Sequence, residues 1–134
     1  MVNKNLPLIV ALIMSAIWVK FSGIYTYGND TYIFGINVLT FTLWVAGLMV
    51  LQYIYETYGR KRPFIQIIIF YWVGLLIIEY IGYHLMGIQL QSNYSGVFGL
   101  DVLHVPLFAK VYYMSAGPIY LLVLDYMKKV KTRW

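Results

Sequence analysis

Residues 64–88 read FIQIIIFYWVGLLIIEYIGYHLMGI, directly after Gly59-Arg60-Lys61-Arg62-Pro63. One acidic side chain, Glu79, stands deep among Ile, Leu, Phe and Trp. Crossing the hydrocarbon core takes roughly 20 mainly apolar residues, and this run is longer than that. Pro63 suits a helix start, where the missing N–H costs little. The basic turn before it marks the cytoplasmic end of a span.

The rest of the chain repeats the pattern. Apolar runs at about 6–25, 31–55, 64–88 and 106–127 predict four spans in one integral membrane domain, residues 1–134. The expected fold is all-α, a four-transmembrane-helix bundle. Over 134 residues the chain is 61% hydrophobic and 11% charged, against about a quarter charged in a soluble domain. The first run leads into further spans, so it reads as a retained helix and not a cleaved signal. Gly117-Pro118 inside the fourth span predicts a bend. Residues 27–30 and 59–63 read as tight turns, and 89–105 as a longer loop of the kind that often carries function. No internal repeat is expected.

The bases set the orientation. Lys4 precedes the first span, Arg60, Lys61 and Arg62 separate the second from the third, and Lys128, Lys129, Lys131 and Arg133 follow the fourth. The other two connections carry no Lys or Arg. Both termini are therefore expected inside, in a multi-pass protein of a prokaryotic inner membrane. Tyr53, Tyr55, Tyr58 and Tyr126 suit an inner aromatic belt, and Tyr25, Tyr27 and Tyr32 an outer one. The net charge of +5 sits in these flanks and forms no nucleic-acid face. The chain has no cysteine, which excludes disulfides, thiolate catalysis and Cys-ligated metals.

Polar residues within the spans carry the functional signal, because charges there are costly and usually face the protein interior. At about 1.5 Å per residue, Lys20 rises roughly 20 Å along the first span, and Glu79 reaches nearly the same height. Asn37, Lys110, His84, Asp101 and His104 also fall in the outer half. Structural readings stand beside the functional one. Lys20 and Lys110 can snorkel, Lys20–Glu79 can be a helix-joining pair, Asp101 a cap, His84 a packed histidine, and Asn37 interhelical glue. Gly74, Gly82 and Gly117 read more readily as sites of close helix approach than as ligand contacts. Glu79, His84, Asp101 and His104 lack a metal motif, so no metal and no cofactor is expected.

A family resemblance enters at residues 79–107. Glu79, Gly82, Tyr94, Phe98-Gly99 and Val105-Pro106 resemble the pattern of the carotenoid-biosynthesis membrane proteins that include bisanhydrobacterioruberin hydratase. Those proteins have more spans, and His104 stands where their pattern has glycine. The resemblance implies a carotenoid or isoprenoid ligand. Acid-catalysed alkene hydration or cyclisation fits it, since a membrane-buried carboxylic acid can protonate a C=C bond. Glu79 is then the acid, with His84 or Asp101 orienting water. Lys20, Asn37, Tyr83, Tyr94, His104, Lys110 and Tyr113 are candidate substrate contacts. Tyr80, Tyr83, Trp72, Tyr112 and Tyr113 offer aromatic faces to a carbocation. Other classes stay open: a lipid or pigment binder, a subunit of a larger membrane complex or homo-oligomer, and a small dimeric proton-coupled transporter.

Overall fold

The computed structural model describes residues 5–25, 31–59, 61–87 and 94–131. Lys4, Tyr27, Arg60, Arg133 and much of the long loop lie outside them. Four helices form: α1, Leu6–Phe21; α2, Val38–Tyr58; α3, Phe64–Tyr80; and α4, Leu107–Lys131. Strands β1, Tyr32–Ile33, and β2, Ile36–Asn37, precede α2, and a π-helical turn, Ile81–Leu85, extends α3. Segments Val38–Tyr58, Phe64–Leu85 and Leu107–Val130 are long and apolar enough to cross a membrane.

The first helix is shorter than its apolar run predicts. Its 16 residues rise about 24 Å, less than the roughly 30 Å core. It stops because Gly23 takes a φ of +66°, a left-handed conformation that ends helices. Residues 31–37, expected at the start of the second span, fold differently. Tyr32 pairs with Asn37 and Ile33 with Ile36. Phe34 and Gly35 between them have φ of +52° and +76°, the signs of a type I′ turn. The Asn37 side chain then caps α2, accepting from the Thr40 N–H at 3.0 Å.

The same device recurs before α4. Val97 bridges to Leu100 around Phe98 and Gly99, with φ of +52° and +75°. Ile33-Phe-Gly-Ile-Asn-Val-Leu39 and Val97-Phe-Gly-Leu-Asp-Val-Leu103 align position by position. Phe34 is 89% exposed and Phe98 83%. The chain thus holds a short internal repeat that the sequence reading did not anticipate.

Two apolar clusters join the helices. One combines Val10 and Ala11, Leu48 and Leu51, Ile67 and Ile68, and Tyr120, Leu121 and Leu124. The other combines Trp18, Val19 and Tyr25 with Trp44, Leu103, Val105, Ala109, Tyr113 and Ala116, and Leu75 packs on it. Starts of α1 and α3 therefore share one end with the finishes of α2 and α4. At that end Tyr55 donates to Asp125 Oδ2 at 2.7 Å, and Lys128 pairs with Glu56 at 3.0 Å.

Gly117-Pro118 is where α3 docks on α4. A Cβ at Gly117 would lie 2.8 Å from the Tyr71 ring and 2.9 Å from Leu51, so glycine is needed for the approach. Pro118 lies inside the helix and has no N–H for the carbonyl four residues back, that of Met114. Trp72 Nε1 donates to this carbonyl at 2.8 Å, and the Tyr71 hydroxyl bonds the neighbouring Tyr113 carbonyl. In lipid no water can serve such carbonyls, so α3 supplies what proline removes. Trp72→Phe is expected to cost about 1–3 kcal/mol in unfolding from mixed micelles. In a Pro118→Ala background, where the helix N–H returns, the loss should at least halve. An equal loss in both backgrounds would show that Trp72 acts only by packing.

Candidate functional site

Facing stripes of α2 and α3 part to leave a cavity of about 430 Å³. From α3 come Phe70, Gly74, Ile78 and Glu79, and from the π-helical turn Gly82 and Tyr83; from α2, Thr40, Leu43, Trp44, Gly47, Val50 and Ile54; Tyr113 and His104 line it too. Leu43, Val50, Phe70 and Ile78 are exposed while Leu48 and Leu51 are buried, so the cavity is a groove open at the side. Of its polar members, Thr40, Glu79, Tyr83, His104 and Tyr113 gather toward one end, while Tyr71 packs against Gly117. The other end, by Val50, Ile54 and Phe70, is apolar.

Three glycines make the space. Nothing lies within 4 Å of a Cβ built on Gly47, Gly74 or Gly82. Gly74 and Gly82 were read as places of close helix approach; they instead line open space, and of those three expectations only Gly117 behaves so.

Glu79 is half-buried and lines the groove together with Tyr113 of α4. Lys20 is exposed, and among the described residues no Lys20–Glu79 ion pair forms. Lys110 turns back to its own loop, donating to the Ser95 carbonyl at 2.7 Å. Asn37 is buried and serves as the α2 cap.

His84, Asp101 and His104 do come together, in a clasp beside the groove. His104 Nε2 lies 2.7 Å from Asp101 Oδ1 and His84 Nε2 3.3 Å from Oδ2. His104 Nδ1 meets the Tyr94 carbonyl at 2.8 Å, and Tyr83 stacks on the His104 ring with centroids 4.7 Å apart. The clasp pins the loop before α4 to the π-helical turn. Of its three side chains only His104 lines the groove. No three His, Cys, Asp or Glu among the described residues are placed to hold a metal ion.

Tyr25 corrects an expectation. It was assigned to the outer belt, yet it is 5% exposed. Its hydroxyl meets Trp18 Nε1 at 2.7 Å, Trp44 Nε1 at 3.0 Å and the Tyr113 hydroxyl at 2.6 Å. Sequence reasoning missed Tyr25, Trp18 and Trp44. Composition gave no sign, because belt aromatics and core aromatics look alike. Of the residues assigned to the inner belt, Tyr53, Tyr58 and Tyr126 are exposed, whereas Tyr55 is half-buried and bonded to Asp125.

Searches against protein-family models, characterised proteins and solved structures find no match for this chain.

Proposed function

We propose that the α2–α3 groove holds the end of a neutral isoprenoid or related long-chain lipid beside Glu79. One observation carries this reading: among the described residues, the groove pairs a long apolar wall with a single carboxyl and no Lys or Arg. An anionic headgroup finds no Lys or Arg there, and both ring nitrogens of His104 are already engaged, by Asp101 and the Tyr94 carbonyl, which disfavours phospholipids and prenyl phosphates. Size narrows it further. At about 30 Å³ for a water-sized group such as a methylene, 430 Å³ takes on the order of 14 such groups. Only the end of a long polyene fits, and the remainder lies along the groove mouth in lipid.

The chemistry that suits this end is protonation of a C=C bond. Glu79 gives its proton to one alkene carbon, the π pair forms the new C–H bond, and the other carbon becomes a cation facing Tyr83, Tyr113 and Trp44. Water then adds through oxygen and returns a proton to the Glu79 carboxylate, leaving a tertiary alcohol. Attack by a neighbouring C=C and loss of a proton to the same carboxylate gives a ring instead. His104 is the member of the histidine–aspartate clasp on the groove wall, so it replaces His84 and Asp101 as the group nearest the water. The weak carotenoid-enzyme resemblance at residues 79–107 points the same way.

Gly74→Leu tests the groove. With open space at this Cβ, the variant should fold, since leucine favours the helix over glycine by up to about 1 kcal/mol. Mass spectrometry of lipids extracted from purified protein should find a neutral isoprenoid with wild type and little with the variant. Identical lipid profiles would refute the site. A lipophilic cation retained instead would favour the transporter reading, which a lone groove carboxylate also supports.

The reading includes a four-helix bundle with both ends inside. Cysteines placed at Asn29 and Ser92 should react with an impermeant thiol reagent from outside intact cells. Reaction of either only after permeabilisation would reverse the orientation.

A further inference from the structure

We propose that the two Phe-Gly turns are membrane-interface anchors, each seating a phenylalanine ring at the boundary between the outer headgroups and the acyl chains. Phe34 and Phe98 are the two most exposed large apolar side chains among the described residues. Each also holds a left-handed backbone, with φ of +52°. That conformation crowds the Cβ against the following carbonyl, and a type I′ turn favours Asn, Asp or Gly at its first central position. A phenylalanine packed on the core would be accounted for by its burial. These two draw no packing from the fold, yet the same exposed and disfavoured residue stands in both copies of the repeat. Strain kept twice at exposed positions points to a contact outside the chain.

Helix lengths identify that contact as lipid. The inference uses the four-span topology proposed above and is independent of the ligand. Helix α2 has 21 residues and rises about 31 Å, against a hydrocarbon core of roughly 30 Å. Lys61 and Arg62 follow its inner end, so its first residue, Val38, reaches the outer edge of the core. Strand β2 has two residues, about 7 Å, which leaves the Phe34 turn within the headgroup zone of roughly 5–8 Å on each side of the core. Helix α4 gives the same level. Counted back from Lys128, about 30 Å of helix ends at Phe108, in the first turn of α4. The segment before it is folded down on the bundle: Val102, Leu103 and Val105 are buried, and the Val97 N–H donates to the Val102 carbonyl at 3.1 Å. At headgroup level a turn still finds water for its N–H and C=O groups, as it could not in the core, and an apolar ring can enter the acyl boundary. Residues 31–39 and 94–103 carry no Lys or Arg, so the rings meet the neutral part of the interface and not a lipid phosphate. Phe34 then fixes the height of α2, and Phe98 that of α4. Together they keep the polar end of the groove, with Thr40 and His104, directly beneath the headgroups.

The chain has no cysteine, so single nitroxide labels can read depth in the full protein. Ile33→Cys and Leu100→Cys place them at exposed positions beside the two rings, in phosphatidylcholine vesicles. Power-saturation EPR compares collisions with oxygen, which concentrates in the core, against a polar nickel chelate admitted to both sides by freeze–thaw. Lys61→Cys calibrates water and Val73→Cys the core. Both turn labels should fall between these two. Adding Phe34→Asn should move the Ile33→Cys label toward the Lys61→Cys value, and Phe98→Asn should do so for Leu100→Cys; asparagine suits the left-handed position, so the turns keep their shape. Nickel access equal to that at Lys61→Cys would put the turns in water, and a value equal to Val73→Cys would put them in the core. Low access to both reagents would mean that protein, such as a second copy, covers them. Any of these, or labels unmoved by asparagine, overturns the anchors. Failure of the four-span topology appears separately, in the labelling at Asn29 and Ser92, because depth is read here whichever side the turns face.

Discussion

Glu79→Gln is expected to keep the bound lipid and lose the reaction. Glutamine matches the carboxyl in shape, so the groove survives. It has no acidic proton to give. Removing a positioned general acid costs about 10²–10⁴-fold, and the loss should be at least that where no second acid faces the alkene. The measurement is turnover of an isoprenoid bearing a terminal C=C bond by purified protein in lipid, normalised to folded protein. If Glu79 only ties α3 to α4, Glu79→Gln will change the unfolding midpoint and leave turnover per folded molecule intact.

Tyr25→Phe is expected to be the most damaging single substitution for stability among the aromatic residues discussed. It removes one oxygen and strands two indole donors, Trp18 Nε1 and Trp44 Nε1, in the buried cluster. A buried donor left without a partner costs about 1–3 kcal/mol. The two together predict a loss of roughly 2–6 kcal/mol. Tyr32→Phe is the control: its hydroxyl donates to the Tyr25 carbonyl at 3.0 Å from an exposed side chain, and its loss should cost under about 1 kcal/mol. Equilibrium unfolding in mixed micelles separates the two. Equal and small effects would mean that the indoles find other acceptors and that Tyr25 is not the hub.

Much of this molecule was legible in its sequence. Runs of apolar residues located the helices, three of them long and apolar enough to cross a membrane, and Glu79 stood out because a carboxyl among Ile and Leu needs a reason. What escaped the sequence has a common physical cause. Gly74 and Gly117 look the same in a list of residues, yet one leaves a void and the other admits a ring. The difference lies in which helix stands opposite. Trp72 serves the carbonyl that Pro118 strands, 42 residues away in the chain, and no spacing rule connects them. Tyr25 was hidden among 14 tyrosines. Residues 31–37 carried the apolarity of a span, but Phe34-Gly35 turned them into a hairpin before the helix began.

The paired Phe-Gly turns bear on how the chain is made. Each lies between an early and a late helix of its own half, so each half is a helix–turn–helix unit closed at one end by purely local bonds. Such a unit can enter the bilayer as it leaves the ribosome, without waiting for distant partners. The contacts that complete the protein, Trp72 on α4, Tyr120 on the start of α1 at 3.0 Å and Tyr113 on Tyr25 at 2.6 Å, bring together segments far apart in sequence. Contacts of this kind need the helices docked side by side. The groove between α2 and α3 lies along the seam where the first-made half meets the second, so it takes shape only once both halves are present.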